Sequence, residues 1–190
     1  RKPPPAAALK ASGAGKRRQA WEPFERADDF ESEASKAPLY ASAFGVVCVA
    51  VYAKTAYPTV PPGDAAELCH TVCSGGNMHP PGYPLFLMIA GLFQLLPLGT
   101  SAYRTNLVSC LAGAVSVAFI ALFCQRWYAH RGYRESATLA LIPAGLVAFG
   151  PLFWLYHTQA EVFSLNNAVI AASLYVAHLH AESCVPQPGA

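Results

Sequence analysis

Two carboxylates, Asp64 and Glu67, are the residues of this sequence best suited to acid–base chemistry. They follow the turn-forming run Pro61-Pro62-Gly63 and are three positions apart. If a helix begins there, this spacing places both carboxylates on one helix face. A carboxylate within hydrogen-bond reach of a hydroxyl can accept its proton as a new bond forms. Asp64 would equally serve as the N-cap of that helix, which is a purely structural role.

A second polar segment, His79-Pro80-Pro81-Gly82-Tyr83-Pro84, lies further along the same connection. Its three prolines predict a stiff, defined turn that carries His79 and Tyr83. The run also suits a simple lead-in to the apolar helix that follows. Arg104 lies beyond that helix, at the entrance of the next apolar stretch. An arginine at a membrane interface needs no function, because its long side chain can reach the polar layer.

A third group of polar residues lies where the last apolar stretch begins. Glu161 precedes this stretch, and Asn166 and Asn167 lie within it. Polar groups in a membrane are costly and usually face a protein interior or a wet cavity. Hydrogen bonding between helices is the structural alternative for the two asparagines.

The sequence assigns no metal ligands. Cys69-His70-Thr71-Val72-Cys73 has suitable residue types but lacks the second ligand pair of a zinc site. The six cysteines form no disulfide-scaffold pattern. Neither a Gly-rich nucleotide-binding motif, a Walker loop nor an Asp-x-Asp motif is present. The two carboxylates could bind a divalent cation weakly, so metal dependence is left open.

These polar groups lie in a strongly apolar chain. Of 190 residues, 54% are hydrophobic and 13% are charged, whereas soluble domains carry roughly 25% charge. The net charge of +2 is too small to indicate nucleic-acid binding. We therefore predict an all-α, polytopic integral membrane protein, with the bilayer as a partner.

The predicted segments are a disordered cytosolic tail (1–37), transmembrane helix 1 (38–57), a non-cytosolic loop (58–105) with a juxtamembrane helix (85–96), transmembrane helix 2 (106–125), a cytosolic loop (126–136), transmembrane helix 3 (137–156), a non-cytosolic turn (157–161), transmembrane helix 4 (162–180) and a polar C-terminal end (181–190).

Basic residues determine the predicted orientation. Cationic clusters in the tail and in the 126–136 loop both favour the cytosol, so an even number of spans must separate them. The segment 85–96 is too short to cross a bilayer and would break this parity. We therefore predict that it lies along the membrane on the non-cytosolic side. The basic residues are Lys16, Arg17, Arg18, Arg126, Arg131 and Arg134.

Four polar blocks, in this order and spacing, resemble the N-terminal part of the transmembrane-protein-260-like family. This family is a branch of the GT-C glycosyltransferases, and its animal members are endoplasmic-reticulum protein O-mannosyltransferases. The resemblance covers residues 38 to about 180. The four blocks are Val60-Pro61-Pro62-Gly63-Asp64-Ala65-Ala66-Glu67-Leu68, His79-Pro80-Pro81-Gly82-Tyr83-Pro84-Leu85-Phe86, Ala102-Tyr103-Arg104-Thr105-Asn106 and Ala160-Glu161-Val162-Phe163-Ser164-Leu165-Asn166-Asn167.

The resemblance implies an inverting transfer of mannose from dolichyl-phosphate mannose, a polyprenyl-phosphate donor, to Ser or Thr of lumenal protein acceptors. It implies a GT-C fold in the endoplasmic reticulum membrane, with a lumenal catalytic loop and no certain cofactor. Asp64 would then be the catalytic base, and Glu67 would orient the acceptor or raise the basicity of Asp64. Arg104, with Lys54 as a second candidate, would bind the leaving phosphate. The expected pocket residues are His79 and Tyr83 around the sugar and Glu161 with Asn166 from the fourth span.

The chain departs from the family pattern at one place. Where the family has Gly-Gly-Asp-Ser-Gly-Glu, this sequence has Pro62-Gly63-Asp64-Ala65-Ala66-Glu67. Both carboxylates are kept, but a hydroxyl and a flexible glycine are absent, which keeps a catalytically inactive GT-C-like binding protein open as an alternative. A polytopic transporter with a polar path along Glu161, Asn166 and Asn167 is a second alternative. A glycosyltransferase of the same architecture that uses a different sugar or a non-protein acceptor is a third.

Overall fold

The computed structural model describes residues 27–184, and within this range the chain is entirely helical. Eight helices follow one another, three long and five short. They are α1 (Ala27–Thr55), α2 (Asp64–Ser74), α3 (Pro84–Phe93), α4 (Ser101–His130), α5 (Ser136–Leu139), α6 (Leu141–Ala148), α7 (Pro151–His157) and α8 (Val162–Cys184).

Three helices of the described range are long and apolar enough to cross a membrane. They are the Glu31–Thr55 part of α1, all of α4 and all of α8. The pair formed by Ser136–Ala148 and Pro151–His157 is a fourth candidate, bent by 76° between its halves. The chain is therefore a polytopic membrane protein that is all-helical over residues 27–184.

Helix α4 is the central element, and α1 and α8 pack along it. α4 and α8 run in the same direction, since residues further along α4 contact residues further along α8, with sequence separations between 52 and 56. Small residues on α4 permit this close packing. The contacts of α4 with α8 and with the residue just before it are Ser109 with Glu161, Phe119 with Tyr175, Phe123 with His178 and His130 with Glu182. The buried residues between α4, α1 and α6 include Ala41, Cys48, Tyr52, Cys110, Ala114, Val117, Ala121, Ala144 and Ala148.

The first helix begins earlier than predicted. Residues 27–37, which we assigned to a disordered tail, are helical and continuous with the first span, so Pro38 lies inside α1. The extension is held by tertiary contacts, since Ala37 is buried and Glu33 accepts a hydrogen bond from the backbone N–H of Ala137. The rest of the predicted tail, 1–26, lies outside the described residues.

The short apolar helix was predicted over 85–96 but ends three residues earlier, and one of its faces is buried against neighbouring helices. α3 covers Pro84–Phe93, and it packs against α2 and α4 through buried Phe86 and Ala90. α4 then begins at Ser101 rather than at residue 106, because the Thr100 hydroxyl caps it by accepting from Tyr103 N–H at 3.1 Å. α4 also continues to His130, past the predicted end at 125.

The predicted third span, 137–156, is not one continuous helix. Pro143 has no N–H to bond the carbonyl of Leu139, and the helix is interrupted at that point between α5 and α6. Gly150 has an extended backbone before Pro151, where the chain turns by 76° into α7. The fourth span begins at Val162 as predicted but extends to Cys184 rather than 180, and 185–190 lies outside the described residues.

The bent segment returns to α4 through His157. This imidazole is fully buried and lies against Gly113, so a β-carbon at Gly113 would overlap the ring. The His157 Nδ1 atom lies 3.1 Å from the hydroxyl of Ser164, which itself donates to the carbonyl of Tyr156 at 2.7 Å. Gly113 therefore sets how closely α7 approaches α4.

We predict that Gly113→Ala lowers the free energy of unfolding by about 1–3 kcal/mol, the usual cost of overpacking. Alanine otherwise favours a helix by up to about 1 kcal/mol over glycine. Gly145→Ala in α6 is the matched control, because its β-carbon would meet only Phe44 Cζ at 3.8 Å. Thermal unfolding in detergent measures both variants. An unfolding temperature that rises in Gly113→Ala as it does in Gly145→Ala would contradict the close contact.

Candidate functional site

Asp64 is the first residue of α2, and its carboxylate is exposed to solvent. The N-cap position belongs to Gly63, whose φ of 77° lies in the left-handed region that favours glycine. The capping role that we considered for Asp64 is therefore wrong. In the described part of the chain, the Asp64 carboxylate makes no hydrogen bond or ion pair, so it is available to accept a proton.

Glu67 and His79 form a two-point contact that closes the 75–83 connection onto α2. The backbone N–H of His79 donates to Glu67 Oε1 at 2.8 Å, and His79 Nδ1 lies 2.6 Å from Glu67 Oε2. The backbone hydrogen bond, followed by the side-chain one, holds the pKa of Glu67 below its ordinary value of 4.5. The same side-chain bond, followed by the charges of Glu67 and more weakly Asp64, raises the pKa of His79 above 6.5.

Tyr83 and Asn166 line one groove between α3 and α8. Its volume is about 460 Å³, and its lining is mostly apolar. The Tyr83 ring also meets the His79 ring edge-on, with centroids 6.0 Å apart. The groove therefore adjoins the Glu67–His79 pair. Its lining residues are Tyr83, Pro84, Leu85, Phe86, Val162, Phe163, Leu165, Asn166 and Val169.

Glu161 lies in the turn before α8 and is 8% exposed. Its backbone is fixed to α4, since Ser109 Oγ donates to the Glu161 carbonyl at 3.1 Å and lies 3.0 Å from its N–H. Burial raises the pKa of its carboxyl, and the negative charge of Asp64 adds to this effect. Asp64 thus acts electrostatically on both Glu161 and His79.

Arg104 and Lys54 are not joined to these groups. Arg104 donates Nη1 to the carbonyls of Leu98 and Gly99, both at 3.1 Å, and its Nε lies 3.4 Å from Gln94 Oε1. Its side chain thus closes the connection between α3 and α4. Lys54 is exposed in the last turn of α1. Within residues 27–184 neither cation forms an ion pair with any of the candidate carboxylates.

Asn106 joins two loops of the site, although the sequence pattern did not predict a role for it. Its side chain is fully buried and joins two loops: Nδ2 donates to the carbonyls of Tyr57 at 2.8 Å and Thr59 at 3.3 Å, and Oδ1 accepts from Ala160 N–H at 2.8 Å. The available signal was an amide close to an apolar stretch, which usually indicates a buried polar contact. Its partners, however, are distant in sequence.

The site therefore belongs to a membrane-embedded helical bundle with carboxylates gathered at one end. Residues 64–185 match the family model described as the protein O-mannosyl-transferase TMEM260 N-terminal domain, and the chain belongs to this family.

Two named relatives support the assignment. The chain is 34% identical to "Protein O-mannosyl-transferase tmem260" of Dictyostelium discoideum over 134 residues, which are 69% of this chain and 16% of the relative. It is 38% identical to "Protein O-mannosyl-transferase TMEM260" of Mus musculus over 122 residues, 64% of this chain and 16% of the relative. The chain thus spans about a sixth of either relative's length. No solved structure matches it significantly.

The Glu67–His79 pair predicts how the stability of the fold depends on pH. The lowered pKa of Glu67 stabilises the fold above pH 4.5, and this contribution is lost as pH falls through the folded value. The raised pKa of His79 stabilises it below pH 6.5, and this contribution is lost as pH rises through the folded value. The pair therefore contributes most between these two values.

We predict that NMR of histidine-labelled protein gives His79 a pKa above 6.5. Glu67→Gln removes the larger cause and should lower this pKa more than Asp64→Asn does. The His79 signal is assigned by its loss in His79→Gln. A pKa of His79 that responds more to Asp64→Asn than to Glu67→Gln would contradict the pairing.

Proposed function

We propose that this chain forms part of the catalytic end of a GT-C membrane glycosyltransferase in the endoplasmic reticulum. The whole protein would transfer mannose from a polyprenyl-phosphate donor, dolichyl-phosphate mannose, to Ser or Thr of lumenal protein domains. The relatives' names support mannosyl transfer to protein. The observation that carries the role of this chain is the carboxylate of Asp64, which is exposed at the start of α2 and has no hydrogen bond or ion pair among the described residues.

We call the end of the bundle that carries Asp64, Glu67 and Glu161 the carboxylate end. This end is proposed to face the lumen. Both the connection after α1 and the turn before α8 are bonded to Asn106 at the start of α4. The opposite end carries Arg131 and Arg134 in the connection after α4, where basic residues favour the cytosol. The carboxylates would then meet acceptor domains on the non-cytosolic side.

In the proposed reaction, Asp64 is the general base. A Ser or Thr hydroxyl oxygen forms a bond to sugar carbon 1, while the bond from that carbon to the phosphate oxygen breaks. The hydroxyl proton passes to Asp64, and the electron pair leaves with the polyprenyl phosphate. A single displacement inverts the anomeric centre, and positioned proton acceptance contributes about 10²–10⁴ in rate.

The second carboxylate and the imidazole have supporting roles in this proposal. Glu67 is already engaged by His79 at 2.6 and 2.8 Å. It therefore holds the 75–83 connection in place for Asp64. Glu161, whose pKa is raised by burial and then by the charge of Asp64, would close the pocket from the α8 side together with Asn166.

The donor is proposed to lie along the groove between α3 and α8. Tyr83 and Asn166 supply polar groups in an otherwise apolar lining, which suits a sugar joined to a lipid. Arg104 is the candidate for the leaving phosphate, because its Nη2 donates to no group among the described residues, while its Nη1 is fixed by two carbonyls. Lys54 is the second candidate.

We predict that Asp64→Asn in the full-length protein lowers hexose transfer by at least about 10²-fold, because the amide cannot accept the proton. The measurement is intact-protein mass spectrometry of secreted receptor-type acceptors from cells that lack their own copy of the enzyme. Glu135→Gln is the matched control, since this exposed carboxylate lies in the connection between α4 and α5, at the other end of the bundle.

Wild type and Glu135→Gln should add hexose equally, while Asp64→Asn should not at equal abundance. Equal hexose addition by Asp64→Asn would refute its role as the base. No hexose addition by the wild type would refute the proposed reaction itself and would favour transport or binding.

A further inference from the structure

Two histidines and a glutamate meet where α4 and α8 end, at the opposite end from Asp64. His130 Nε2 lies 2.6 Å from Glu182 Oε1, and His178 Nε2 lies 3.2 Å from the same oxygen. All three ligand atoms lie within 4.8 Å of one another. We call His130, His178 and Glu182 the His/His/Glu cluster. The sequence pattern does not predict this cluster, because His130 and Glu182 are 52 positions apart.

The cluster is held in place by its surroundings. His178 and Glu182 are four residues apart on α8 and therefore share one helix face. Aromatic rings of α4 cover the His178 ring, with its centroid 5.3 Å from that of Phe123 and 6.5 Å from that of Trp127. Arg126 Nη1 lies 3.6 Å from Glu182 Oε2, so one carboxylate oxygen faces Arg126 and the other faces the histidines.

His178 Nε2 is the most informative atom of the cluster. It is shielded from solvent and has no hydrogen-bond partner of good geometry within the described residues, although it is directed at Glu182 Oε1 at ion-pair distance. A buried nitrogen without a proper hydrogen bond is unfavourable. An atom bound between this nitrogen and Oε1 would give the nitrogen a partner.

We propose that the His/His/Glu cluster binds a divalent transition-metal ion, with zinc as the best fit. Two imidazole nitrogens and one carboxylate oxygen are ligands that zinc accepts, and water completes a tetrahedral set. Metal–ligand bonds of about 2.0–2.1 Å separate tetrahedral ligand atoms by roughly 3.3 Å. His178 Nε2 and Glu182 Oε1 already lie at 3.2 Å, whereas His130 Nε2, now 2.6 Å from Oε1, would move outward by about 0.7 Å on binding the metal. Arg126 supplies the outer contact that orients a ligating carboxylate.

The metal would join the end of α4 to the end of α8 and so fix the register of these two helices. This role is structural and separate from the carboxylate end, so it does not depend on the proposed transferase activity. The competing interpretation is a metal-free ion-pair cluster in which Arg126 and the histidines neutralise Glu182.

The test uses the full-length protein in detergent, stripped of metal with a chelator and titrated with zinc against a chromophoric competitor. We expect wild type to bind one equivalent more zinc than His178→Ala or Glu182→Gln, or to bind it more than about 10-fold more tightly. His180→Ala is the matched control, because His180 lies on α8 beside Cys184 and outside the cluster. It should bind zinc as wild type does.

Cobalt provides a second readout that loss of folding would not mimic. Co²⁺ bound to wild type and to His180→Ala should give visible absorption typical of four-coordinate nitrogen and oxygen ligands. Zinc should also raise the unfolding temperature of these two proteins but not that of His178→Ala. Equal zinc binding by wild type, His178→Ala and Glu182→Gln would overturn the proposal, as would the absence of zinc binding by wild type at micromolar free metal.

Discussion

The side-chain amide of Asn106 is the interaction on which the arrangement of the carboxylate end depends. It joins the carbonyls of Tyr57 and Thr59, just after α1, to the N–H of Ala160, just before α8. Each such bond contributes about 1 kcal/mol, and each buried group left unpaired costs about 1–3 kcal/mol. Because one side chain serves both loops, the chain segments that carry Asp64 and Glu161 are held at the same end of α4.

The pairing of α4 with α8 gives the two ends of the bundle different chemistry. Ser109 fixes the backbone of Glu161 at one end, and Glu182 meets His130 at the other. Because both helices run in the same direction, a single register determines which residues meet at either end. The bent segment between them returns to α4 at its end, where the His157 ring lies against Gly113.

The helical membrane architecture and the family could be predicted from sequence, because apolar length and ordered motifs are local properties. Local patterns do not reveal contacts between distant residues. Glu33 extends α1 by bonding Ala137, which is 104 positions away. Arg104 lies in the first turn of α4, and its guanidinium closes the connection from α3 by donating to the carbonyls of Leu98 and Gly99. The role of Asn106 likewise depends on two loops that only folding brings together.

The account requires the carboxylate end to be lumenal and the His130 end to be cytosolic, and glycosylation mapping tests this requirement most directly. Residues 1–190 contain no Asn-x-Ser/Thr acceptor, so a glycan added to this part of the protein must lie on the inserted acceptor. An Asn-Ser-Thr acceptor in a flexible linker is inserted after Gly75 or after Gly132, and the electrophoretic shift is compared with the parent protein. The account predicts one added glycan at Gly75 and none at Gly132. A glycan at Gly132, or none at Gly75, would contradict it.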